Sequence, residues 1–216
     1  MGAVGRDDLL YTKNEIENFL NYKITIEEKI DGANLGIFIE NGEIIIQNRS
    51  HFITPSYHPQ FALIGDWLNE NQYDIRKIIN NNNWILYGEW LYAKHSIVYT
   101  NLPDYFVLFD IYDRDIDKFL SRDVVEKLIL GTNINLINKI SEGVYKYTEL
   151  NKIENLAYSK SKYYDGPVEG VYLRIYDDDN KYLKERAKIV RHNFLEEGDK
   201  HWTHNKLTLN KLNTKN

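Results

Sequence analysis

Glu27-Glu28-Lys29-Ile30-Asp31-Gly32-Ala33-Asn34 is the stretch on which the reading of this chain turns. It overlaps an alternating run over residues 23–30, with Ile24, Ile26 and Glu28 on one side, in the manner of a strand. The run ends at Asp31-Gly32. A lysine at a strand end can reach into a cleft, and a glycine beside it lets a ligand or another backbone approach closely. Read alone, Lys29-Ile30-Asp31-Gly32 is equally a solvated lysine ahead of a tight turn.

The flanking sequence supplies the elements around it. Upstream, Thr12-Lys13-Asn14-Glu15 has the form of a capping box, and Ile16, Phe19 and Leu20 follow at helical spacing, so a helix is predicted over 13–21. Downstream, strands over 35–40 and 43–47 flank Asn41-Gly42, a pair that tolerates the positive φ of a tight hairpin. Residues 58–79 read as a helix with Phe61, Ile64, Leu68 and Ile75 on its apolar stripe. Residues 84–91, 105–112, 168–175 and 183–190 read as strands, and 121–130 and 148–158 as helices. The sum is an α+β fold of largely antiparallel sheets flanked by helices. No internal repeat and no Pro/Gly-rich linker interrupts it.

With 216 residues and 43% hydrophobic content the chain can bury a substantial core. It has no cysteine, which excludes disulfides, thiol catalysis and cysteine-ligated zinc. No apolar run is long enough to cross a membrane, and the N-terminus lacks the apolar core of a signal peptide, so a soluble, cytoplasmic or otherwise intracellular protein is expected. The net charge of −5 is unevenly spread. Residues 181–216 hold nine Lys/Arg and four Asp/Glu, a net of +5, leaving −10 for the first 180. A basic segment on an acidic body suits phosphate contact, or is a solvated tail.

Lys29 is the first of an ordered set. Arg49 follows the predicted hairpin. Glu89 sits in Tyr87-Gly88-Glu89-Trp90, inside an otherwise apolar strand, and Phe109 in Val107-Leu108-Phe109-Asp110 on the next. Glu169 opens Glu169-Gly170-Val171-Tyr172-Leu173-Arg174, and Arg186-Ala187-Lys188 puts two cations on one strand face. Taken singly, each has a plainer reading: Phe109 as core, Glu89 as an exposed strand face, Asn34 as a turn residue, Arg174 as a strand-surface charge. Taken together and in order, they resemble the covalent nucleotidyltransferase superfamily of nucleic-acid ligases and capping enzymes, over about residues 25–192. Within it the chain is most similar to the RNA ligase 2 family, because Asn34 stands five residues after Lys29 where DNA ligases and capping enzymes usually carry arginine. One departure is Arg186, where the family usually has lysine; a planar guanidinium replaces a compact ammonium.

The resemblance implies a nucleotidyltransferase (ligase adenylation) domain over residues 1–192, with 193–216 a short basic C-terminal segment and no OB-fold domain. It implies an ATP-dependent RNA ligase in which Lys29 takes AMP from ATP, passes it to an RNA 5′-phosphate, and a 3′-hydroxyl displaces it. An ordinary lysine, with a pKa near ~10.4, needs desolvation or neighbouring cations to become a nucleophile. By the same resemblance Arg186, Lys188 and Glu169 join Lys29 in catalysis. Glu28, Ile30, Asn34, Arg49, Glu89 and Phe109 bind the nucleotide, with Glu89 on the ribose and Phe109 on adenine. Glu169 and Asp31 serve Mg²⁺ or Mn²⁺, hard cations that favour carboxylate oxygen. The partner is RNA with 5′-phosphate and 3′-hydroxyl ends, the basic segment with Trp202 is a candidate RNA contact, and a partner protein is a further source of RNA-binding surface. His201 and His204, spaced i, i+3, make a weak metal pair. The rival readings are a DNA ligase or capping guanylyltransferase core, and an RNA-binding module of the same fold without the chemistry.

Overall fold

The computed structural model describes residues 4–6, 9–191 and 207–213. In chain order the elements begin β1 (Val4–Arg6), β2 (Leu9–Leu10), α1 (Lys13–Leu20), β3 (Ile24–Lys29), β4 (Ala33–Glu40) and β5 (Glu43–Gln47). Next come α2 (Ile64–Ile79), β6 (Trp84–Trp90), β7 (Phe106–Asp113), β8 (Lys118–Phe119), α3 (Arg122–Ile129) and β9 (Asn135–Leu136). The last are β10 (Lys139–Gly143), α4 (Leu150–Leu156), β11 (Gly170–Tyr176) and β12 (Leu183–Val190). They form two compact units, and the chain passes from the first to the second between Ile30 and Asp31.

The first unit, Met1–Ile30 with Ile137–His201, is built on a sheet of order β10-β3-β11-β12-β1-β2 whose pairs are all antiparallel. Strand alternation sends Ile24 and Ile26 of β3, Val171, Leu173 and Ile175 of β11, and Ala187 and Ile189 of β12 into one core with Phe19, Leu20, Ile153 and Ala157 from α1 and α4. Helix α1 starts as its sequence predicts: Thr12 accepts the Glu15 N–H while the Glu15 carboxylate takes the Thr12 N–H at 2.7 Å. Strand β10 carries no sequence signal, since Lys-Ile-Ser-Glu-Gly is short and mostly polar, yet it pairs with β3 across a bulge.

The second unit, Asp31–Leu136 with Trp202–Asn216, holds a sheet of order β5-β4-β6-β7-β8, with β9 added parallel to β7. The β4–β5 hairpin turns on Asn41 (φ 51°) and Gly42 (φ 81°), as expected of that pair. Helix α2 packs Ile64, Trp67, Ile75, Ile78 and Ile79 inward, with the Trp67 ring 5.0 Å from Phe106 and 6.0 Å from Trp90. Its start corrects the expected helix over 58–79. His58 caps a separate 3₁₀ turn, Pro59–Phe61, and the α-helix begins only at Ile64, after Leu63 (φ −91°, ψ 2°) leaves the helical conformation.

The described part of the C-terminal segment, 207–213, lies along the second unit's 92–102 loop. Leu209 bridges to Ala93 and Leu212 to Leu102. Asn210, 2% exposed, donates to the carbonyls of Leu91 (2.8 Å) and Ala93 (3.2 Å) and accepts the Tyr99 N–H at 2.9 Å. Trp202, His201 and His204 lie outside the described residues. None of the described helices is long and apolar enough to cross a membrane.

Candidate active site

In the first unit the registers settle which side chains share a face. Lys29 stands opposite Gly170, Glu27 opposite Tyr172 and Thr25 opposite Arg174; on the next strand Tyr172 meets Lys188 and Arg174 meets Arg186. Cross-strand partners point the same way. Lys29, Glu27, Tyr172, Arg174, Arg186 and Lys188 therefore occupy one face, and the apolar core occupies the other. Lys188 stands two strands from Lys29, roughly 10 Å at ordinary strand spacing.

Lys29 lies at the end of β3 with its ammonium on Oε1 of Glu169, the residue just before β11. The two side chains are 18% and 6% exposed, so this is a largely desolvated ion pair. Gly170 is required beside it, because a Cβ there would sit 2.9 Å from the Cα of Val190 on β12. Two residues back along the same face, Glu27 pairs with the Arg174 guanidinium at 2.5 Å, with side chains 2% and 4% exposed. Arg174 is thus no strand-surface charge. The alternation that places Glu27 beside a future partner is visible in the sequence, but which cation meets it depends on the β3–β11 register.

Glu28 points the opposite way and is held by three donors. The Ser161 hydroxyl donates to Oε1, and the Lys162 N–H and the Asn138 side-chain amide donate to Oε2, each at 3.2 Å. The donors are tied to one another: the Tyr163 N–H donates to Ser161 Oγ at 3.0 Å and the Tyr163 hydroxyl accepts the Asn138 N–H at 2.9 Å. Burial pushes the Glu28 carboxyl above its usual range, and the hydrogen bonds from Ser161, Lys162 and Asn138, with the Lys162 charge, pull it partly back. No sequence motif marked Ser161 or Asn138.

The second unit carries the remaining candidates. Asn34 stands opposite Glu89 on one face of its sheet. Glu89 Oε1 accepts the Gly32 N–H at 2.9 Å. A Cβ on Gly32 would lie 2.6 Å from the Trp90 carbonyl, so this turn needs glycine. The register shifts between Tyr87, opposite Asp110, and Gly88, opposite Leu108, which makes Phe109 the extra residue of a bulge. Bulges re-aim a side chain, and Phe109 is half-buried between the buried Leu108 and Asp110. Asp31 has its N–H on the Tyr99 hydroxyl at 2.9 Å and its Oδ2 on the Ser96 N–H at 2.7 Å. His95 Nε2 lies 3.0 Å from Gln60 Oε1, and burial lowers its pKa against the opposing pull of Asp31, with His58 adding to the lowering. Arg49 is exposed in the turn after β5. Ile30 is 7% exposed, its side chain in the core.

Among the described residues no three or more His, Cys, Asp or Glu side chains cluster as a metal cage. Glu169 in the first unit and Asp31 in the second each offer carboxylate oxygen, the donor type that suits a hard divalent cation such as Mg²⁺.

The chain belongs to the RNA ligase family, whose profile matches residues 22–190. Its fold is similar to that of Naegleria gruberi RNA ligase solved with PPi, at a TM-score of 0.66 and 19% identity over 90% of this chain and 59% of that one. A variant of the same ligase with ATP and Mn gives 0.64 at 16% identity, over 92% and 60%. The chain thus spans about three-fifths of the length of these solved ligases. No curated protein sequence matches it.

Proposed function

We propose that this chain is the catalytic core of an ATP-dependent RNA ligase, with residues 1–192 as its nucleotidyltransferase domain. The Lys29 amine attacks the α-phosphorus of ATP; a nitrogen–phosphorus bond forms, the bond to the bridging oxygen breaks, and pyrophosphate leaves. An oxygen of an RNA 5′-phosphate then takes the AMP, releasing Lys29. A 3′-hydroxyl attacks the 5′-phosphorus, loses its proton, and AMP departs as the strand is sealed.

The observation that carries this reading is the Lys29–Glu169 pair at the end of β3, on a sheet face that also bears Arg186 and Lys188. In the pair the amine is a charged partner and no nucleophile. Attack requires the pair to open and the proton to leave, and Glu169 is the adjacent acceptor. Arg186 and Lys188 offset charge that builds on the α-phosphate. Glu28, fixed by its three donors, lies beside the adenine pocket as the family resemblance implies. Asn34, Glu89, Phe109 and Arg49 serve the nucleotide as the family resemblance implies, Glu89 with the ribose hydroxyls and Phe109 with the base. As the family resemblance implies, Glu169 and Asp31 would each offer carboxylate oxygen to Mg²⁺ or Mn²⁺, which would supply positive charge for the phosphoryl oxygens.

The test is intact mass after incubation with ATP and Mg²⁺ or Mn²⁺. Wild type gains one AMP and Lys29→Ala does not; GTP gives no comparable adduct. A folded, nucleotide-free wild type that takes up neither nucleotide overturns the reading.

A further inference from the structure

The loop between β5 and α2 has a composition unlike the rest of the chain. Asp and Glu make up 32 of 216 residues, yet none occurs between Glu43 and Asp66. That stretch holds Arg49, His51, His58 and the aromatics Phe52, Tyr57 and Phe61. In a chain of net charge −5, it is a surface from which a polyanion is not repelled.

The loop is built, not merely long. Asn48 Oδ1 accepts the N–H groups of Ser50 (2.9 Å) and His51 (2.8 Å), and the Asn48 N–H donates to the His51 carbonyl at 2.9 Å, closing a tight turn under Arg49. The Ile53 N–H returns to the Ile46 carbonyl at 2.8 Å, and the Ile53 side chain is buried. With Ile53 anchored inward and Phe52 bridged to Gln47, the Phe52 ring is turned outward and is 64% exposed. Tyr57, 44% exposed, lies with its ring 5.7 Å from His51 at 38° and 6.0 Å from Phe61, and its hydroxyl is 3.2 Å from His51 Nδ1. Packing does not account for an outward phenylalanine on a pinned loop. An outward Phe52 on a pinned turn and an exposed Tyr57 tilted against His51, in a stretch that holds an arginine and no carboxylate, have the composition of a base-stacking surface, which works on any sequence because every base has a π-face.

We propose that the 48–57 loop, with Phe52 and Tyr57 as stacking faces and Arg49 at its turn, is the surface on which this enzyme seats unpaired bases of its RNA strand. The inference rests on the RNA ligase reading and deepens it by assigning the substrate a place. An apolar protein partner is the weaker occupant, since the platform is small, rimmed with His and Arg, and includes no aliphatic side chain that is both large and exposed.

The experiment is fluorescence anisotropy of the full chain with a short, labelled, 5′-phosphorylated single-stranded RNA, with adduct formation from ATP measured on the same preparations. Phe52→Ala weakens RNA binding roughly 5- to 150-fold, the range of one base–aromatic stack, and Phe52→Trp restores it. Both variants take up AMP like wild type, which shows that they are folded. Equal RNA affinity of wild type and Phe52→Ala, with the AMP adduct intact, overturns the platform and leaves the ligase reading standing. A wild type that neither takes up AMP nor binds the RNA overturns both.

Discussion

The buried Glu27–Arg174 pair offers the sharpest test of the physical account, because its cost of disruption follows from its geometry. Arg174→Met removes the guanidinium 2.5 Å from Glu27 and leaves a carboxylate whose side chain is 2% exposed without this counter-charge. Breaking one partner of such a pair costs about 3–5 kcal/mol, since the remaining charge keeps its desolvation penalty. The lost contact of the guanidinium over the Tyr172 ring, 5.8 Å to its centroid, adds to this. At roughly 2–4 °C per kcal/mol for a chain of this size, Tm falls by about 6–20 °C. Urea unfolding followed by tryptophan fluorescence, with calorimetry for Tm, measures both quantities. The double variant Glu27→Gln with Arg174→Met recovers at least half of the loss, because neither member of the pair then carries a charge. A single-variant loss below about 1 kcal/mol, or a double variant no better than the single, refutes the claim that this is a desolvated, mutually dependent pair.

Ser161→Ala removes one of the three donors that fix Glu28. ATP uptake over GTP uptake, compared by adduct mass at limiting nucleotide, is expected to lose about 2- to 10-fold in discrimination, the net worth of one hydrogen bond, with Ser161→Thr retaining it; unchanged discrimination removes Ser161 from base selection. His95, whose pKa is lowered by burial, is held neutral in the folded chain, so the unfolded chain binds the extra proton first. Its stabilising contribution is present above its ordinary pKa of 6.5 and is lost as pH falls through that value toward the lowered one. A melting series from neutral to mildly acidic pH should show a drop that His95→Gln reduces, and a His95→Gln profile parallel to wild type contradicts this.

Local chemistry was legible in the order of residues. The Thr12–Glu15 box, the Asn41-Gly42 turn and the alternation through Ile24, Ile26 and Glu28 each depend on neighbours within a few positions, and each appears as read. The family is legible too, since its motifs are short segments in a fixed order. Where a signal depended on competition between local states it failed: helical periodicity over 58–63 could not foresee that the stretch would form a 3₁₀ turn and break at Leu63. Everything that depended on partners far along the chain was decided by tertiary structure. Lys29 meets Glu169 across 140 residues, Glu28 meets Ser161 across 133, and Arg174 meets Glu27 across 147. The Lys29 and Glu27 contacts follow from strand order and register, and a shift of one residue in the β3–β11 pairing would turn each charge to the opposite face; the Glu28 contact follows from the path of the loop between α4 and β11. The sequence by itself determined which chemical groups the chain carries and in what order. Only the folding of β3 against β11 decided that Lys29 rests on a buried carboxylate, and only the bulge in β7 decided how Phe109 is set between its neighbours, because both depend on hydrogen bonds between strands that sequence proximity does not encode.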